Sequence, residues 1–145
     1  MIVEELLTCV DCELPKDYKF FCICGCPVFI AVNGDRLSGM TLNYFSPQWC
    51  ELDIPRKDYT RSTKPIQRPL KLDVMLRLAE QLASDFSFVR VDFYEIGDRV
   101  LVGELTNLPD AAAIQFSLED IDLKLGKFFE DPTADIEKDF ALNLL

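Results

Sequence analysis

Histidine is absent from this 145-residue chain. Its absence excludes the usual general base, every Ser-His-Asp arrangement and every zinc site with a histidine ligand. Any chemistry here falls to carboxylates, lysines, arginines, cysteines or a bound metal. Basic charge is scarce too: 15 Lys and Arg against 25 Asp and Glu leave a net charge of −10. Such a surface repels phosphate backbones, so nucleic acid is not an expected partner, although a local basic pocket for a nucleotide stays open. No apolar run approaches the ~20 residues of a membrane-spanning helix, so no membrane partner is expected. The start, MIVEELL, lacks the basic and long apolar stretches of a secretory signal, which points to a cytoplasmic protein. Glycines number six and are scattered.

What is present reads as one domain over residues 1–145. Apolar residues make up 49% and charged residues 28%, an ordinary globular mix. Ile2 to Leu7 reads as a short strand and residues 11–17 as a turn-rich loop. Tyr18 to Val32 reads as a hairpin turning near Gly25, and Thr41 to Phe45 as a further strand. Residues 46–69, with four prolines, read as a long loop of the kind that forms lids or binding segments. Within it Lys57, Arg61, Lys64 and Arg68 make a basic stretch, either a solvated face or a contact for acidic substrate. Trp49, near Tyr44 and Phe45, reads as packing under this loop or as a stacking patch.

Lys71 to Asp85 carries apolar residues at spacings of three and four, the period of an amphipathic helix. Phe88–Glu95 and Val100–Thr106, joined at Gly97-Asp98, form a second hairpin. Ser117 and Asp120 announce a helix through Phe129. Thr133 announces a last acidic helix carrying Ile136, Phe140 and Leu144, within an acidic segment 131–145. Hairpins interleaved with helices make an α+β fold, antiparallel β-hairpins packed with helices.

Two groups of residues can carry chemistry. The first is the cysteines: Cys9, Cys12, Cys22, Cys24, Cys26 and Cys50. On a strand the thiols of 22, 24 and 26 would share a face and, with Cys9-x-x-Cys12, could meet a metal. The bland reading is buried thiols in a reducing compartment. The second group is on the later hairpin. Asp92 and Glu104 are symmetric about position 98 and are expected to face each other. Opposed carboxylates repel unless a cation lies between them, and magnesium with a nucleotide is the natural mediator. Arg90, two residues earlier on the same face, is placed for phosphate. Equally open is a solvated face on which these acids pair with Arg90 and Arg99.

The stretch FVRVDFYEIGDRVLVGELTNLP (88–109) resembles the metal-binding hairpin of ATP-grasp enzymes. With IVEELL, DYKFFCICGCPVFI, the following NGDR, LRLAEQLASDF and DLKLGKFF in order, the chain is similar over 1–130 to the TupA-like (teichuronopeptide-biosynthesis) ATP-grasp family. The resemblance implies the carboxy-terminal lobe of that fold and the cofactors ATP and magnesium. It implies a ligation in which a carboxylate becomes an acyl phosphate and is then attacked by an amine. Carried over residue by residue, Asp92 and Glu104 hold magnesium, with Thr106 or Asn107 as the further ligand. Arg90 contacts phosphate or the acyl-phosphate transition state. Val3, Glu4, Glu5 and Leu6 meet adenine and ribose, and Lys19 and Arg36 face the cleft.

The first lobe's Gly-rich loop and lysine would then come from another chain or copy, so the expected partners are a nucleotide and either a homo-oligomer or a separate N-terminal-lobe protein. Pro109-Asp110-Ala111-Ala112 stands where the family carries Pro-Gly-Ser-Gly. That departure leaves two functions open: half of an ATP-dependent carboxylate–amine ligase, or a degenerate, non-catalytic binding module.

Overall fold

The computed structural model describes residues 7, 15–34 and 40–142. Six strands form one sheet in the order β4-β3-β2-β1-β5-β6. They are β1 (Asp17–Ile23), β2 (Cys26–Gly34), β3 (Thr41–Phe45), β4 (Glu51–Leu52), β5 (Phe88–Ile96) and β6 (Arg99–Thr106). Every neighbouring pair is antiparallel. With α1 (Leu72–Ala83), α2 (Ile121–Gly126) and α3 (Glu137–Phe140), the fold is α+β. None of the described helices is long and apolar enough to cross a membrane.

The β1–β2 turn at Cys24-Gly25 has positive φ at both residues, 48° and 81°. A two-residue turn with both central residues left-handed matches the twist of the strands it joins. The chain then meanders outward to β4 and returns through residues 53–71 and α1 to place β5 beside β1. The expected long loop 46–69 therefore contains the short edge strand β4.

Both sheet faces are covered, so β1 and β2 read as nearly continuous apolar runs. On one face Phe20, Ile30, Val32, Val89, Val91 and Phe93 pack against Leu72, Met75, Ala79 and Ala83 of α1. Trp49 belongs to this side, stacked on Phe45 with ring centroids 4.3 Å apart. Its indole N–H donates to the Ile66 carbonyl at 3.4 Å, so it packs beneath the loop, while Tyr44 lies in the opposite cluster. The N-terminus of α1 is capped from a distance. The Glu95 carboxylate accepts from the Lys71 N–H at 2.6 Å and the Leu70 N–H at 3.3 Å.

The other face packs Phe21, Phe29, Ala31, Leu42 and Tyr44 against Ile121, Phe128, Ile136 and Phe140. The helices here are shorter than expected. The helix from Ser117 starts only at Ile121, has no side-chain cap, and tightens into a 3₁₀ turn at Lys127–Phe129. Thr133 does not cap a helix; its hydroxyl and N–H both bond Asp131, and Asp135 accepts from the Glu137 N–H at 3.1 Å instead. The last helix is a single turn, and Leu144 lies outside the described residues. Its segment is nevertheless core: Ile136 and Phe140 are buried, and the chain pairs with the β4 edge through Asp53 N–H to Phe140 O at 2.6 Å.

Candidate functional site

The site lies on the second face, where β1, β5 and β6 run side by side. β5 alternates: Val89, Val91 and Phe93 point to α1, leaving Arg90, Asp92 and Tyr94 for the other side. In register, Lys19 of β1 is opposite Asp92, and Glu104 of β6 is opposite Asp92 from the other flank. The row continues through Ala31 and Tyr44 to Leu52.

Asp92 meets Glu104 because of a bulge. From Ile96↔Arg99 to Phe93↔Val102 the strands pair without interruption, and then Asp92 pairs with Glu104, leaving Gly103 as the extra residue. Without that slip Gly103 would oppose Asp92 and Glu104 would turn to the other face. Glycine lets the Tyr94 ring lie close over the bulge: a Cβ at Gly103 would stand 2.7 Å from Cε2 of Tyr94, so the ring would have to shift.

Arg90 binds the group together. Its Nε donates to Asp92 Oδ1 at 2.7 Å and its Nη2 to Asp92 Oδ2 at 2.8 Å. The same Nη2 reaches Glu104 Oε2 at 3.4 Å and Thr106 Oγ1 at 3.3 Å. From β1 the Lys19 ammonium donates to Asp92 Oδ2 at 2.6 Å and meets Asp17 Oδ2 at 2.7 Å. Asp17, Arg90 and Asp92 are buried, whereas the Glu104 side chain is 59% exposed. Burial opposes the charge on Arg90, but the hydrogen bonds and charge of Asp92, backed by Glu104 and Asp17, outweigh it and raise its pKa. Lys19 is raised in the same way: burial lowers it, and the bonds to Asp17 and Asp92 more than compensate.

Lys19, Arg90, Asp92, Glu104 and Thr106 thus form one cluster. Asn107 lies exposed just past the end of β6. Val3, Glu4, Glu5, Leu6 and Arg36 lie outside the described residues, as do Cys9 and Cys12. The alternative of a solvated acid pair holds only in part: Arg90 does pair with Asp92, but Asp92 is buried. Asp17 is a member that reading the sequence for motifs passed over. Its spacing of two from Lys19 on a strand was the available signal.

The cysteines do not line up. Cys22 is in the helix-side core, Cys24 sits in the turn and Cys26 begins the return strand. The hairpin turns within the run of thiols, so no three of them share one strand face. Among the described residues no three His, Cys, Asp or Glu side chains are grouped to hold a metal ion, and the described cysteines are free thiols.

The basic stretch divides. Arg61 lies with Tyr44, Tyr59 and Arg56 in a pocket of about 170 Å³, roughly 14 Å along the row from Asp92 at ~4.8 Å per strand. Arg68 pairs with Asp73 at 2.7 Å. Arg56 bonds Asp110 at 2.9 Å, tying the pocket to the turn after β6. In that turn Asp110, Ala111 and Ala112 all hold positive φ, at 49°, 52° and 59°. Left-handed backbone is thus held at three residues with no glycine among them, in the turn where the resemblance implies glycines.

The TupA-like ATPgrasp family model matches residues 1–130. This chain belongs to that family. No curated protein and no solved structure matches it. The paired strands β5 and β6, which carry Arg90, Asp92, Glu104 and Thr106, lie within the matched residues. The segment from 131 to 142, beyond the matched residues, covers the apolar part of the same face and the outer edge of β4.

Proposed function

We propose that this face binds Mg-ATP and is half of an ATP-dependent carboxylate–amine ligase completed by another chain or copy. The observation that carries the reading is the row Lys19–Asp92–Glu104, with the Arg90 guanidinium reaching both acids. Two cations beside one buried and one exposed carboxylate suit a ligand that itself combines phosphate and metal.

The donor set fits magnesium on one condition. Asp92 accepts from Arg90 and Lys19 at both oxygens, and Arg90 also reaches Thr106 and one Glu104 oxygen, so an ion arriving alone finds little beyond the exposed Glu104 carboxylate. An ion arriving with phosphates brings acceptors for Arg90 and Lys19, and Asp92 and Glu104 would then hold it, with Thr106 or Asn107 beside them. Bound there, magnesium would neutralise charge on the transferred phosphoryl group. Arg90 would orient the phosphates and stabilise charge at the transferring oxygens, and Lys19 would add a second positive charge. β6 is the outer strand and exposes Val102, Leu105 and, beyond its end, Leu108, apolar area suited to cover by a completing polypeptide.

The degenerate-module reading has its own support: the saturated Asp92 carboxylate, and the Asp110–Ala112 turn, pinned by Arg56 and bringing an acid where glycines are usual. Calorimetric titration separates the two. Mg-ATP is expected to bind the wild-type chain, magnesium without nucleotide to bind weakly, and Glu104→Gln to lose Mg-ATP binding while keeping its fold. Absence of binding to the wild-type chain would leave the degenerate module.

A further inference from the structure

We propose that Asp17 is a positioning residue for Lys19, holding its ammonium on the sheet face where the phosphates of a bound nucleotide would lie; this deepens the Mg-ATP reading and rests on it. Three observations carry it. Asp17 and Lys19 are two apart on β1 and so share a face. The Lys19 ammonium stands between two carboxylates, 2.7 Å from Asp17 and 2.6 Å from Asp92. Asp17 is 3% exposed, so it is a fixed anchor, whereas lysine carries a flexible four-carbon stem.

Asp92 alone cannot keep Lys19 in place once its oxygens turn to a metal. The ammonium then loses one acceptor, and solvent offers it another, since its side chain is 18% exposed. Asp17 retains the second contact throughout. Bulk charge predicts the opposite effect of removing it. The cluster holds Asp17, Asp92 and Glu104 against Lys19 and Arg90, so deleting a carboxylate should tighten polyanion binding if charge alone mattered. Positioning predicts weaker binding. The sign therefore decides between the two.

The test is a double-mutant cycle on Mg-ATP affinity with Asp17→Asn and Lys19→Met, accompanied by ¹⁵N-lysine spectra of the side-chain ammonium at pH 6. Asp17→Asn is expected to weaken Mg-ATP binding about 10-fold, the loss expected when one charge-assisted contact is misplaced. In the Lys19→Met background the same change is expected to have no further effect. The Lys19 ammonium protons are expected to exchange with water faster in Asp17→Asn than in wild type. Unchanged or tighter binding in Asp17→Asn overturns the assignment. So does an equal loss in the Lys19→Met background, which marks a structural role, or an unchanged ammonium spectrum. Failure of the wild-type chain to bind Mg-ATP overturns the nucleotide reading and this role with it, even where the spectra register the contact.

Discussion

Asp92 and Glu104 face each other across one hairpin, yet their substitution is expected to have very unequal consequences for stability. Asp92 is buried and accepts three charge-assisted hydrogen bonds, two from Arg90 and one from Lys19. Asp92→Asn keeps one carbonyl oxygen but points an amide group at two cations, leaving Lys19 only Asp17 and Arg90 only the 3.4 Å contact with Glu104 as counter-charges. Removing one partner of a buried ion pair costs about 3–5 kcal/mol, a large part of the ~5–15 kcal/mol that holds a domain folded. At ~3 °C per kcal/mol for a chain of this length, the melting temperature is expected to fall by about 10–15 °C. Glu104 contributes one contact of 3.4 Å from a side chain that is 59% exposed. Glu104→Gln is therefore expected to change stability by less than ~1 kcal/mol. Thermal and urea unfolding of the two variants beside wild type measures the contrast. Equal stability of Asp92→Asn and wild type would refute the claim that the cations saturate Asp92. The expected contrast makes Glu104→Gln, rather than Asp92→Asn, the clean probe of metal binding.

Ala111→Gly and Ala112→Gly are expected to stabilise the chain by about 1 kcal/mol each, since φ of 52° and 59° strains an L side chain but not glycine; urea midpoints rise if so. Phe140→Ala, in the segment that covers β4, is expected to destabilise by about 3–5 kcal/mol, and a loss under 1 kcal/mol in chemical unfolding would place that segment outside the core. Burial, with Glu95 nearby, raises Tyr18 from 10.0 to about 12, and burial raises Tyr44 likewise. Cys22 goes from 9.0 to about 12 by burial, with Cys26 and Glu80 adding to it. The folded chain holds these protons more tightly than the unfolded chain, so their contribution is complete below pH 9 and is lost as pH climbs to 12. Stability measured by urea at pH 8 and pH 11 is expected to drop by several kcal/mol, at ~1.4 kcal/mol per unit of each shift. Glu95→Gln is expected to cost about 1 kcal/mol by weakening the cap on α1, with the loss seen as earlier thermal melting of helical signal.

The amphipathic period of residues 72–83 and the alternation in 88–96 were legible because each needs only its own segment. The hairpin turns at Gly25 and Gly97 were legible for the same reason. The later helices were not: α2 and α3 are a turn or two long, and their apolar residues serve the sheet rather than a continuous helical stripe. The thiols misled because alternation within a strand was extended through a turn. The Asp92–Glu104 symmetry about position 98 held for a reason the spacing does not contain. The two-residue turn centres the pairing between 97 and 98, and the Gly103 bulge supplies the missing half-step.

By itself the sequence determined which residues share a face: Arg90 with Asp92, Asp17 with Lys19, and the apolar partners of each on the reverse side. It also carried, in the order of its motifs, membership of the TupA-like ATP-grasp family. Only the tertiary structure decided that β1 lies between β2 and β5, which brings Lys19 and Asp17 to Asp92 across 73 and 75 positions of chain. It alone decided that one bulged residue turns Glu104 to the same side. Side-chain periodicity is a local property of the backbone, whereas strand order and a one-residue slip are chosen by how both faces of the whole sheet bury their apolar surface.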